Sequence, residues 1–211
     1  MLKGLKNILI YILFPSIFTL FFTTDINSEK YMFYMFISYI LLVIYFYIKY
    51  KKEFKEYIKN FNKKYIKTII LYTLIGFILM MVSNYIINYL IIPNGISQNE
   101  LSNRELLENN KLLYSIMLCT LIPIIEEITF RLEFKKNIKN KYIFIIISSL
   151  LFASIHILSI TKLIEILYII PYLILGLTFT IIYQKTDNIL CNILSHIIHN
   201  SITVLIILIF F

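Results

Sequence analysis

Charge is what this sequence has least of: 15% of its 211 residues are charged, against about 25% in soluble domains. With 59% hydrophobic residues and a mean hydropathy of +0.80, that shortage excludes a soluble globular protein. Cysteine is scarce as well. The two copies, Cys119 and Cys191, lie inside long apolar runs, so they read as small buried apolar residues and not as a disulfide or redox pair. A nucleophilic thiol would need an activating environment. The opening stretch, MLKGLKNILIYILFPSIFTLFF, has the basic start and apolar core of a signal peptide but lacks a small-residue cleavage site, because Phe18, Leu20, Phe21 and Phe22 fill that region. It reads as a retained first span. No internal repeat or low-complexity tract is visible.

A net charge of +8 raises nucleic acid as a partner, and the distribution of that charge argues against it. The lysines cluster between apolar runs, where a positive-inside bias puts them, and no basic face belongs to a foldable soluble unit. What the chain does have is a series of runs long enough to cross a bilayer, for which about 17–25 helical residues suffice. We expect an all-α polytopic bundle of about seven spans, near residues 5–22, 31–48, 68–92, 112–130, 142–158, 163–183 and 189–210. Pro15 would kink the first span, Asp25, Asn27 and Ser28 make a polar turn, and Pro93-Asn94-Gly95 ends the third span. The break at Ser159–Lys162 is short.

The stretch Lys49–Lys67 holds eight lysines and two glutamates and should be cytoplasmic. Phe54, Tyr57, Ile58 and Phe61 recur within it at three- and four-residue spacing, so it is either an amphipathic helix on anionic headgroups or a solvated connector. Arg131–Lys141 is a second basic connector, whereas the loop carrying Glu100, Arg104, Glu105 and Glu108 has no positive excess and fits the outer side. Seven spans then place the N-terminus in the cytoplasm. Heavy use of Ile, Lys, Asn and Tyr suits an AT-rich bacterial genome, so the expected location is a bacterial cell membrane.

Within the spans, Ile124–Arg131 reads IIEEITFR, and ionisable groups at membrane depth are costly and usually functional. Adjacent on a helix, Glu126 and Glu127 point about 100° apart and cannot share one task. Arg131 lies four residues after Glu127 on the same face, which pairs those two and leaves Glu126 for another role. His156 ends FASIH, and HIIHN places His196 and Asn200 four apart with His199 between them. Unpaired buried polar groups are costly, so these side chains should converge on one pocket. Such a set suits hydrolysis: a carboxylate as general base on water, a histidine to orient it, and an imidazole with an amide for an oxyanion. Glu126, His156 and His196 also form a plausible catalytic zinc set, and spacing alone does not separate the two mechanisms.

In order, EEITFR, FASIH and HIIHN resemble the three motifs of the CPBP family, the CAAX prenyl endoproteases and bacteriocin-processing proteins also called Abi. Gly176 and the segment YQKTDNIL resemble that family's run into its third motif. The resemblance covers about Leu112–Asn200 and none of the first three spans. It implies one membrane domain over 1–211, with residues 1–111 as N-terminal spans and 112–211 as the catalytic core. It further implies an intramembrane endopeptidase with its site near the cytoplasmic half of a helical cavity. By position, Glu126 would be the water-activating base, His156 its partner, and His196 and Asn200 the oxyanion donors, with Glu127, Arg131 and His199 supporting. A metal-free mechanism is favoured and zinc remains the alternative. The implied partners are the bilayer and a peptide or membrane-protein substrate, with no nucleic acid. Two further functions stay open, a non-proteolytic membrane scaffold or immunity protein and an ion-coupled transporter.

Overall fold

The computed structural model describes residues 2–25 and 28–210, and all regular secondary structure among them is helical. In chain order the segments are α1 (Leu2–Phe22), α2 (Glu29–Lys49), α3 (Lys51–Lys59), α4 (Tyr65–Ile91), α5 (Gln98–Asn109), α6 (Lys111–Asn137), α7 (Lys141–Ile155), α8 (Leu163–Thr186) and α9 (Ile189–Phe210). Six of these are long and apolar enough to cross a membrane, and α7 is a shorter apolar helix of 15 residues. The protein is therefore an all-α, multi-pass membrane bundle. Polar caps start several helices: Ser28 accepts from the Tyr31 N–H, Ser97 from Glu100, Asn110 from Leu113, and Asn140 from Tyr142 and Ile143. Of the expected first turn, Asn27 lies outside the described residues.

Apolar side chains such as Ile17, Leu79, Leu90 and Ile209 are exposed on the outside, as a lipid-facing surface requires. Small and hydroxyl residues face inward instead: Gly4, Thr73, Gly76, Ser148, Ser149 and Thr180 are buried. With no hydrophobic drive between helices in lipid, small residues that let backbones approach hold such bundles together. Gly176 is the clearest case, since a Cβ there would come 2.9 Å from the Ser149 carbonyl oxygen across the α7–α8 contact.

Three expectations need correction. The fourth span does not stop near Phe130; α6 runs on to Asn137, because Leu132 and Phe134 are buried and carry the helix past Arg131. Arg131 is consequently fully buried, as its expected pairing with Glu127 inside the bundle requires. The connector after α2 is not a solvated loop, since its residues 51–59 form an amphipathic helix. Its helix α3 docks on the protein: Phe54 packs with Leu42, Phe46, Phe134 and Tyr183, the Tyr57 hydroxyl lies 2.8 Å from that of Tyr183, and Asn188 donates to the Tyr57 carbonyl at 2.7 Å. The acidic loop, finally, is mostly helical, as α5.

Candidate active site

Two π-turns, Met117–Leu121 and Ile128–Leu132, flank the acidic pair in α6, and such widened turns concentrate at functional sites. In the first, the Ile122 N–H donates to Met117, and Pro123 has no N–H to give. The Leu118 carbonyl is thereby left without a helical donor. Asn200 of α9 supplies one, its Nδ2 lying 2.8 Å from that oxygen.

The acids diverge as adjacent helical residues must. Glu127 turns inward, where its carboxylate meets Arg131 Nε at 3.3 Å, Asn192 Nδ2 at 3.3 Å and His196 Nδ1 at 2.9 Å. Arg131 is held further by the Gly176 carbonyl at 3.4 Å and by the face of Phe152, 4.5 Å from the guanidinium carbon. Glu126 turns the other way, into a cavity of about 420 Å³. Its Oε1 accepts from the Tyr11 hydroxyl at 2.5 Å and lies 4.0 Å from His156 Nε2, while its Oε2 lies 3.6 Å from His196 Nε2. One imidazole, that of His196, thus contacts both carboxylates.

Tautomers follow from the partners. His156 Nδ1 lies 2.8 Å from the Phe152 carbonyl, which only accepts, so Nδ1 carries a proton and Nε2 is the nitrogen turned to Glu126. Ring contacts fix both imidazoles: Tyr172 stacks on His156 at 4.6 Å and Phe179 on His196 at 4.4 Å. His199 is buried and lines the same cavity, 5.5 Å from the Phe77 ring. All of the sequence-predicted polar residues except Glu127 and Arg131 therefore line one cavity, and those two stand directly behind it. Reasoning from sequence missed Tyr11, Phe179, Asn192 and Tyr172. Tyr11 is among spans that carry no motif, and an aromatic in an apolar run gives no local signal.

Glu126 and His156 come to one depth because α6 runs on past Arg131. At about 1.5 Å per residue, the eleven residues from Glu126 to Asn137 place the acid roughly 17 Å from that end, and the shorter α7 brings His156, just past its last residue, to the same level. A second opening of about 220 Å³ reaches Glu126 and His156 between α1 and the end of α7, past Pro15, Ser16 and Leu158.

Zinc would hold its ligands about 2.0–2.1 Å away, and hence about 3.3 Å from one another. The separations of 3.6 and 4.0 Å are wider, Oε1 is already taken by Tyr11, and no group of three His, Cys, Asp or Glu among the described residues is arranged to hold a metal. To hold the ion, Glu126, His156 and His196 would have to draw together by about 0.3–0.7 Å from where they stand.

Fold and site together define a multi-pass membrane protein with a glutamate–histidine centre inside its bundle. Residues 108–202 match the family described as type II CAAX prenyl endopeptidase Rce1-like. The chain is also 30% identical over 169 residues to UPF0177 protein YxdF of Lactococcus lactis, across 77% of this chain and 88% of that protein. No solved structure matches it. The chain belongs to the Rce1-like, CPBP family of membrane proteins.

Proposed function

We propose that this protein is an intramembrane endopeptidase that hydrolyses a peptide bond with Glu126 as general base. The observation that carries this reading is the convergence of Tyr11, His156 and His196 on one carboxylate at a cavity wall. A gap of 4.0 Å between Glu126 Oε1 and His156 Nε2 is too long for a direct bond and suits one bridging water. That water donates one hydrogen to Glu126 and the other to the lone pair of His156, so its oxygen is free to attack a substrate carbonyl. Glu126 takes the proton as the C–O bond forms, and later delivers it to the leaving amine as the C–N bond breaks.

The tetrahedral oxyanion needs donors. His196 can serve when it carries both protons, with Nδ1–H on Glu127 and Nε2–H turned to the cavity. Asn200 spends one amide hydrogen on Leu118 and has a second to offer. Such preorganised donors contribute about 2.7–4 kcal/mol each in a water-poor site. Glu127 and Arg131 support this set from behind, and His199 completes the wall. The mechanism routes no step through a metal.

The test is incubation of the purified protein and its Glu126→Gln and His156→Ala variants with membrane peptides, with and without a chelator, read by mass spectrometry of fragments. Cleavage by the wild type alone, indifferent to chelator, is the expected result. Equal cleavage by both variants would overturn the assignment. A scaffold without chemistry would instead leave a binding phenotype untouched by either substitution.

A further inference from the structure

The two ends of the bundle differ sharply in charge. One end carries Lys3 and Lys6, the lysines of 49–67, Lys135, Lys136, Lys139, Lys141 and Lys185, which is fifteen of the chain's twenty Lys and Arg. The other end has only Lys30, Arg104, Lys111 and Lys162, among six acids. Contacts tie each set of segments together. At the lysine-rich end, Lys49 meets Asn7, Lys136 meets Glu53, and Lys135 pairs with Asp187. At the lysine-poor end, Tyr172 bonds Ser97 and Asn99, and Tyr168 bonds Asn88.

The cavity opens toward the lysine-poor end, and the second opening, past Pro15, Ser16 and Leu158, lies in the same half of the bundle. Its outer wall comes from Asn84 and Asn88 of α4, Ser97, and Asn99 and Asn103 of α5, with Thr203 of α9. No lysine lines it. On the opposite side Glu126 is sealed off by a continuous apolar core, in which Leu42, Phe46, Ile128, Leu132, Phe144 and Ile193 are buried together.

Lysine-rich short connectors stay in the cytoplasm. From this asymmetry we propose that the cavity opens on the extracytoplasmic side, and that the substrate is a peptide segment already exported or exposed there. The side of access rests on charge and packing; only the chemistry performed rests on the endopeptidase reading. It also departs from the entry from the cytoplasmic half that the motifs alone imply. The amide-rich rim suits an unwound chain, because Asn side chains carry donors and acceptors for backbone groups that have left a helix, in addition to the single bonds that Asn88, Asn99 and Asn103 make to tyrosine hydroxyls. Lipid-modified proteins held on the cytoplasmic leaflet have no route to Glu126 through this opening.

Two measurements decide it. Single-cysteine variants Ser102→Cys and Glu105→Cys on α5, and Lys63→Cys beyond α3, in a background with Cys119→Ala and Cys191→Ala, are treated in intact bacterial cells with a membrane-impermeant thiol reagent. At least tenfold stronger labelling of either α5 position than of Lys63→Cys, equalised by permeabilisation, is expected; the reverse pattern overturns the proposal. The wild-type protein in sealed vesicles of defined orientation is then given a soluble peptide that the detergent-solubilised enzyme cleaves. Cleavage by right-side-out vesicles supports extracytoplasmic entry, and cleavage by inside-out vesicles alone refutes it. Absence of any cleavage, in detergent as well, sinks the endopeptidase reading, while the labelling still settles the side.

Discussion

The hydroxyl of Tyr11 donates to Glu126 Oε1 at 2.5 Å, joining positions 115 residues apart in the chain. This bond comes from the first span, outside the region matched by the family. A hydrogen bond to a charged group contributes about 1.5–3 kcal/mol. Tyr11→Phe is expected to lower kcat about tenfold to a hundredfold with little change in KM, because the phenol acts by orienting the base. A KM effect without a kcat effect would reassign Tyr11 to binding.

The two acids should fail in different ways. Glu126→Gln is expected to abolish turnover and leave the thermal unfolding midpoint in detergent nearly unchanged, since it is a near-isosteric change at a cavity wall. Glu127→Gln strips a fully buried arginine of its counter-charge, and breaking such a pair from one side costs about 3–5 kcal/mol. Its signature is a marked fall in that midpoint; equal midpoints for the two variants would contradict the division.

Arg131→Lys is expected to behave as a loss and not as a conservative change. The guanidinium reaches Glu127 and the Gly176 carbonyl while lying over Phe152, and an ammonium offers a point charge without the planar fork or stacking surface. Turnover and unfolding midpoint should both drop; wild-type values in both would show that charge alone suffices.

Gly176→Ala forces a methyl group against the Ser149 backbone. Overpacking costs about 1–3 kcal/mol, and here it also shifts the carbonyl that accepts from Arg131 and Thr180. A lower midpoint with partial activity is expected, and a wild-type midpoint would show that the two backbones can move apart at no cost.

Docking of α3 should weaken in acid. Partial burial of Glu53 opposes its ionisation most, but the hydrogen bond from Lys136, a backbone hydrogen bond and the charges of Lys136 and Lys52 together outweigh it and hold the carboxyl below its usual range. An acid depressed on folding stabilises above its unfolded pKa and loses that contribution as pH falls through the folded value. The pair is partly solvated, so the loss is about 0.2–1 kcal/mol. Protease nicking near Lys59 should increase below the ordinary carboxylate range and be unchanged between neutral and alkaline pH.

Most of the architecture was legible in the sequence. Hydropathy is a local sum over consecutive side chains, so it located every span, and helical spacing alone put Arg131 beside Glu127 and separated Glu126 from both. The three motifs were equally legible, because each is a short interval on one helix. The ends of spans were harder: α6 continues past Arg131 since Leu132 and Phe134 find a core, and that core draws on α2, α3, α7, α8 and α9.

What only the tertiary structure decided is what lies across from what. Tyr11 faces Glu126, Asn200 caps Leu118, one histidine bridges both acids, and the cavity opens at one end of the bundle. None of these has a sequence signature, because each depends on how separate helices pack, and in lipid that packing is set by close contact and hydrogen bonds between distant residues, not by local hydrophobicity.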